Sequence, residues 1–296
     1  MKKKTTIDLM AIVAIALVVA FSGCVETSEV GTQEIPSGIS IKSEGTVIDV
    51  MKQVPTGSAM VSYTNIRNTR EDGDLVGEAY PNSMLSDAGI PEVAISIDKL
   101  VYCDGTYFIW GDFDLKKIRS YLKDESWQQD TYREVEVWYK ESGNVNEIAL
   151  FKGEIIMGGK GYVKPMIRVM KGECKSLYDN KDVLDVANKL PDGSTIIIGV
   201  SEAPFRFEEI GMPGNSFFFR EVYGVVPTCF GYSLKEISKD KLKTDAIYKF
   251  NDERTADDVA KKMEQRYEGS GVDVEITTQD EYVTCIALYK NERFRG

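Results

Sequence analysis

The chain has 296 residues, 43% of them apolar, with 47 acidic against 36 basic side chains and a net charge of −11. So acidic a chain argues against nucleic acid as a partner, because phosphate backbones are held by basic surfaces. It contains no histidine, which excludes Ser-His-Asp triads, Cys-His pairs, a histidine general base and every metal site that needs imidazole.

Lys2, Lys3 and Lys4 precede a run without charge or strong polar group, residues 9–21, and then Ser22, Gly23 and Cys24. A basic start, a short apolar run and small residues make the pattern of a secretory signal. As a helix these residues reach only ~20 Å, short of the ~30 Å of hydrocarbon that a spanning helix must cross. Phe21-Ser-Gly-Cys24 resembles the lipobox of prokaryotic (bacterial or archaeal) lipoproteins, with Phe21 standing where that family carries leucine or a similar aliphatic residue. The resemblance implies loss of residues 1–23 as a signal peptide, lipid on the Cys24 thiol, and a place at the extracytoplasmic face of the cell membrane. An uncleaved anchor and a soluble secreted product are the alternatives. Two lipid chains on Cys24, as the resemblance implies, would anchor stably where one myristoyl-sized chain binds only marginally. Residues 24–45, rich in Thr, Ser, Glu and Gly without an apolar period, read as a lipid-attached flexible tether spanning ~25 Å on average. Losing the signal removes three lysines and one aspartate, so what remains is more acidic still.

Residues 47–58, VIDVMKQVPTGS, place Val47, Ile48, Val50, Met51 and Val54 on one face of a short helix. Pro55 stops it, Gly57 permits a reversal, and residues 60–64 read as a strand. Strands are predicted at 99–103 and 106–110, joined by Asp104-Gly105, a strong hairpin signal. A helix follows from Asp114, with Leu115, Ile118, Tyr121 and Leu122 on one face. Val135, Val137 and Tyr139 alternate with Glu134, Glu136 and Trp138 in a half-buried strand; a turn at 142–144 and a strand at 148–151 complete the half. Two stretches invite a chemical reading. Glu71, Asp72, Asp74 and Glu78 could gather oxygens for calcium, but they lack the spacing of a dedicated loop, and a solvated turn is the plain reading. The glycine-rich run 153–161 precedes a helix at 162–170, yet Gly159, Lys160 and Gly161 stand where a phosphate loop needs Lys then Ser or Thr. A strand end with left-handed glycines explains it, with a modest anion site at the helix N-terminus as the alternative.

Residues 183–194, VLDVANKLPDGS, repeat the first segment with six of twelve positions identical. Val183, Leu184, Val186, Ala187 and Leu190 again share a face, Pro191 and Gly193 follow, and 195–200 read as a strand. Further matches come in order at nearly constant spacing: Asp98-Lys-Leu100 with Asp240-Lys-Leu242, residues 114–123 with 255–265, and Ile148-Ala-Leu150 with Ile286-Ala-Leu288. Such collinearity is what tandem duplication produces. It divides the body into a first repeat, 46–181, and a second, 182–296. The second half predicts strands at 232–237 and 244–250, a helix at 256–267, and strands at 272–277 and 282–289. Phe217, Phe218 and Phe219, with Tyr223, Val225 and Val226, read as a buried strand, or else as an exposed patch for a partner or membrane.

The expected fold is α+β: mainly antiparallel sheets with helices on one face, built from a duplicated helix-turn-strand plus strand-strand-helix-strand-strand unit. The element order resembles a ferredoxin-like repeat, which implies no activity. It also resembles uncharacterised surface lipoproteins with a duplicated α+β body, in which a Pro-x-x-small turn starts each half and a turn like Gly111-Asp-Phe-Asp114 leads into the helix. Cys103, Cys174, Cys229 and Cys285 admit two disulfides in any of three connectivities, or buried thiols. No catalytic residue, metal ligand or cofactor is assigned. The functional expectation is a non-catalytic, membrane-anchored envelope lipoprotein, held by lipid on Cys24, whose duplicated body binds a protein partner or ligand. The alternative is an enzyme using carboxylate or cysteine chemistry in the groove between the repeats.

Overall fold

The computed structural model describes residues 46–66, 85, 90, 95–141, 143–200, 216–238 and 241–290. Helix α1 (Val47–Met51) opens where Asp49 accepts a hydrogen bond from the Thr46 N–H at 3.0 Å, and it ends before Pro55. Strands β1 (Met60–Asn65), β2 (Ile95–Cys103) and β3 (Thr106–Phe113) follow. Asp104 and Gly105 take φ of 45° and 81° and close the β2–β3 hairpin in two residues, as two left-handed turn positions allow. Asp114 caps α2 (Leu115–Asp124) by accepting from the Lys117 N–H at 3.1 Å. The expected turn at 111–114 is therefore the end of β3 followed by a helix cap. A meander comes next: β4 (Gln128–Tyr132), β5 (Val135–Tyr139), β6 (Glu147–Phe151) and β7 (Glu154–Gly158). Helix α3 (Val163–Met170) and a 3-10 turn (Leu177–Asp179) lead to α4 (Lys181–Lys189), which Asn180 caps and which stops short of Pro191. The rest runs β8 (Thr195–Val200), α5 (Ser216–Tyr223), β9 (Cys229–Ser238), β10 (Lys241–Lys249), α6 (Glu253–Tyr267), β11 (Asp273–Gln279) and β12 (Tyr282–Lys290).

All twelve strands join one open antiparallel sheet, in the order β11-β12-β10-β9-β8-β1-β2-β3-β7-β6-β5-β4. The seam between the halves is the β1–β8 pair, running from Met60 opposite Gly199 to Thr64 opposite Thr195. On either side, three consecutive strands run outward, and a later strand returns beside the third: β7 beside β3, β12 beside β10. The sides differ in the β4–β5 hairpin. They differ also in where the matched Ile-Ala-Leu segments sit, since β12 pairs directly with β10 whereas β7 lies between β6 and β3.

Helices cover both faces of the sheet, not one. Val50 and Met51 of α1, Met166 and Ile167 of α3, and Val183, Val186 and Ala187 of α4 pack on one face with Val61, Ile196 and Ile198. On the other face, Ile118 and Leu122 of α2 pack with Ile109, Ile148 and Met157. Further along that face, Phe219 of α5 and Val259 and Met263 of α6 pack with Ile197, Tyr248 and Val283. The cause is visible in the central strands. Ile196, Ile197 and Ile198 are all buried, as are all five residues of β7, so neither face is suited to water. Gly231 lets α4 approach closely, because a Cβ there would collide with Val186 and Leu190.

Candidate functional site

Several of the singled-out residues lie outside the described residues: Cys24, the tether 24–45, and the acidic group Glu71, Asp72, Asp74 and Glu78. The glycine-rich run divides as β7, a turn with Gly161 at φ 87°, and α3. Its helix N-terminus is already capped by a side chain, for the Val163 N–H donates to Glu147 Oε2 at 3.3 Å. The aromatic run is a helix, α5, where a buried strand was expected. Phe219 and Tyr223, four apart, are both buried on one helical face, and the Phe219 ring packs at a tilt against Tyr248, 4.7 Å between ring centres. The side chains of Phe217 and Phe218 lie outside the described residues.

None of Cys103, Cys174, Cys229 and Cys285 forms a disulfide. Burial raises the Cys103 thiol far above its usual pKa and pushes Cys229 and Cys285 up to about 12, and Cys229 Sγ donates to the Asp182 carbonyl at 3.3 Å. A thiol kept neutral is a poor nucleophile. Where a groove between the repeats was expected, the described residues of the two halves meet as one continuous seam. β1 and β8 are hydrogen-bonded there, and one core built from α1, α4 and both strands fills the space above them.

Three constellations unite residues distant in sequence. The first is Lys249, whose Nζ lies 2.6 Å from Asp182, 3.6 Å from Glu281 and 4.0 Å from Asp185. Burial, the largest influence, works to lower its pKa, but the hydrogen bonds to Asp182 and Tyr282 and the Asp182 charge outweigh it and the pKa is raised. That is the opposite of a lysine primed as a base. Its role is to pin α4 to β10 and the β11–β12 turn. The second is Glu154, 4% exposed, whose Oε1 has no hydrogen-bond partner among the described residues. Burial pushes its carboxyl up to about 8, with the nearby Trp110 indole pulling weakly the other way.

The third is a cleft of about 450 Å³ at one end of the sheet, between the last turns of α6 and β11. Tyr267, Val272, Val274 and Ile276 form its apolar floor, and Glu264, Gln265 and Glu268 form its rim. Glu264 lies in the last turn of α6 and Glu268 is its C-cap, the Glu268 N–H donating to the Glu264 carbonyl. β11 is terminal in the sheet, and along it Asp273, Glu275, Thr277, Thr278 and Gln279 are exposed. No ion pair among the described residues engages Glu264, Glu268, Asp273 or Glu275.

The sequence alone does not single out any of the three. Lys249 closing the apolar run Ala246-Ile-Tyr248, and Glu154 opening an apolar strand, are the signals it offers. The cleft leaves none, because it depends on which strand ends the sheet.

No family model matches the chain, and no solved structure matches it. It is similar to two proteins of Methanocaldococcus jannaschii, both described as uncharacterised. One is 31% identical over 194 residues, which cover 62% of this chain but 17% of that much longer protein. The other is 22% identical over 254 residues, 79% of this chain and 83% of the relative.

Proposed function

We propose that the protein is an envelope lipoprotein at the extracytoplasmic face of the membrane, and that its body is a non-catalytic module binding a protein partner. The carrying observation is Phe21-Ser-Gly-Cys24 directly after a short apolar run led by three lysines. Residues 1–23 are the removed signal, Cys24 carries the lipid, and residues 24–45 tether the body. An acidic body is repelled by an anionic lipid face, so the anchor must be the lipid rather than the protein surface.

The body is a tandem duplication of residues 46–181 and 182–296. Support comes from three likenesses. The two matched segments each form helix, turn and strand; the strands that follow them pair across the seam; and each half returns a late strand beside its third. The β4–β5 hairpin is then an insertion in the first copy, and β7, rather than β6, is the counterpart of β12, so the Ile-Ala-Leu match between β6 and β12 is not part of the duplication.

The anchor is tested by Cys24→Ala. The variant is expected to leave the membrane fraction or to retain residues 1–23. Full membrane retention with normal removal of residues 1–23 would contradict it.

A further inference from the structure

We infer that the cleft between α6 and β11 receives an extended peptide segment of alternating basic and apolar residues, which pairs with β11 as an added strand. This rests on the reading of the body as a binding module and names the partner's chemistry and the place of contact.

Edge strands present a row of unpaired N–H and C=O groups, and proteins commonly blunt them with charged side chains, proline, bulges or extreme shortness. Of these β11 has only charge, the acidic Asp273 and Glu275, which repels an acidic strand but not a basic one. Its seven residues contain no proline or lysine, and its register with β12 is unbroken from Asp273 opposite Leu288 to Gln279 opposite Tyr282. The other edge, β4, is five residues long and four of them are exposed, so no apolar floor adjoins it. Beside β11 there is such a floor. Val274 and Ile276, two apart, point to one face of the strand and line the cleft. A peptide laid along β11 would place every second side chain over that floor.

The charge selects the occupant. Glu264 and Glu268 flank the floor, Asp273 and Glu275 stand on the strand's other face, and none has a cation among the described residues. Lysines or arginines alternating with apolar residues would meet carboxylates where the apolar residues meet Val274 and Ile276. A second copy of the chain is the poorer occupant, for pairing β11 with itself brings the same four acids toward each other.

The test uses the full chain in detergent and a capped, fluorescent Lys/Val alternating hexapeptide. Its Glu/Val counterpart and a backbone N-methylated form serve as controls. Saturable binding of the Lys/Val peptide is expected. At least a tenfold loss is expected with either control, and with Asp273→Lys combined with Glu275→Lys, at an unchanged melting temperature. Equal binding of the Glu/Val peptide, or no effect of the double variant, overturns the inference. So does a dimer that the double variant dissociates, since a second copy would then be the occupant.

Photo-crosslinkers placed at Thr278 and at Gln129, on opposite edges of the sheet, separate this inference from the reading beneath it. In native membranes, adducts at Thr278 through a basic segment support the cleft. Adducts at Gln129 alone overturn the cleft and leave partner binding standing, and adducts at neither overturn both.

Discussion

A carboxyl group that loses its water must either find donors or keep its proton, and Glu154 keeps its proton. Its pKa in the folded chain, about 8, lies above the ordinary 4.5, so the folded state binds the proton more tightly than the unfolded state does. The resulting stability is fully present below pH 4.5 and is lost as the pH rises through about 8. At roughly 1.4 kcal/mol per pKa unit, the loss amounts to several kcal/mol. Glu154→Gln is therefore expected to unfold at nearly the same urea concentration as the parent at pH 5. At pH 8 it should unfold at a clearly higher one; parallel curves across that range would show that Glu154 is hydrated. The cysteines give a second expectation at this scale. Cys103, Cys229 and Cys285 are buried and only Cys174 is partly exposed, so a thiol reagent should modify Cys174 first and the other three only on unfolding. Rapid modification of Cys229 would contradict the packing of α4 over β9. Neither burial is readable from composition, because four scattered cysteines fit disulfides and thiols alike. An acid within an apolar strand is legible as unusual, but not as buried.

Among the elements, those with a clear period were legible and those without were not. The twin segments at 47–58 and 183–194 form α1 and α4, with β1 and β8 after the turn; α4 runs up to two residues before Pro191, whereas α1 stops at Met51, well short of Pro55. The Asp104-Gly105 hairpin and helices α2 and α6 lie where their turn residues and apolar faces put them. β4 escaped notice because Gln128-Gln-Asp-Thr131 is exposed and polar, with no apolar residue to mark a buried face. It is held instead by its pairing with β5, through a turn in which Arg133 and Glu134 take φ of 52° and 65° without glycine. In β5 the alternation carried Trp138 into the core and left Tyr139 exposed, the reverse of the simple reading, because both faces of the sheet are covered. α5 reads as a strand in sequence because three consecutive aromatics hide the four-residue spacing of Phe219 and Tyr223. The twin helices yield a direct comparison. Val50 and Val186 are 1% and 0% exposed in the same core, so Val50→Asp and Val186→Asp should each destabilise by ~3 kcal/mol or more through an unpaired buried charge. Denaturant titration checks this, and a large effect at one site with none at the other would break the equivalence of the two segments.

For the whole molecule, an α+β class with antiparallel pairing could be argued from adjacent strands and short turns. The union of both halves into one sheet could not. It depends on β1 and β8 meeting edge to edge, a contact between segments more than a hundred residues apart that no local pattern encodes. The same contact makes the two halves continuous where a groove between them was expected. No described helix is long and apolar enough to cross a membrane, and the proposed attachment is the lipid on Cys24. The intact mass of the membrane-extracted chain tests this most directly. A chain beginning at Cys24, with residues 1–23 gone and added mass of lipid on that cysteine, is the expected result. A chain that retains residues 1–23, or that begins elsewhere with Cys24 unmodified, would contradict it.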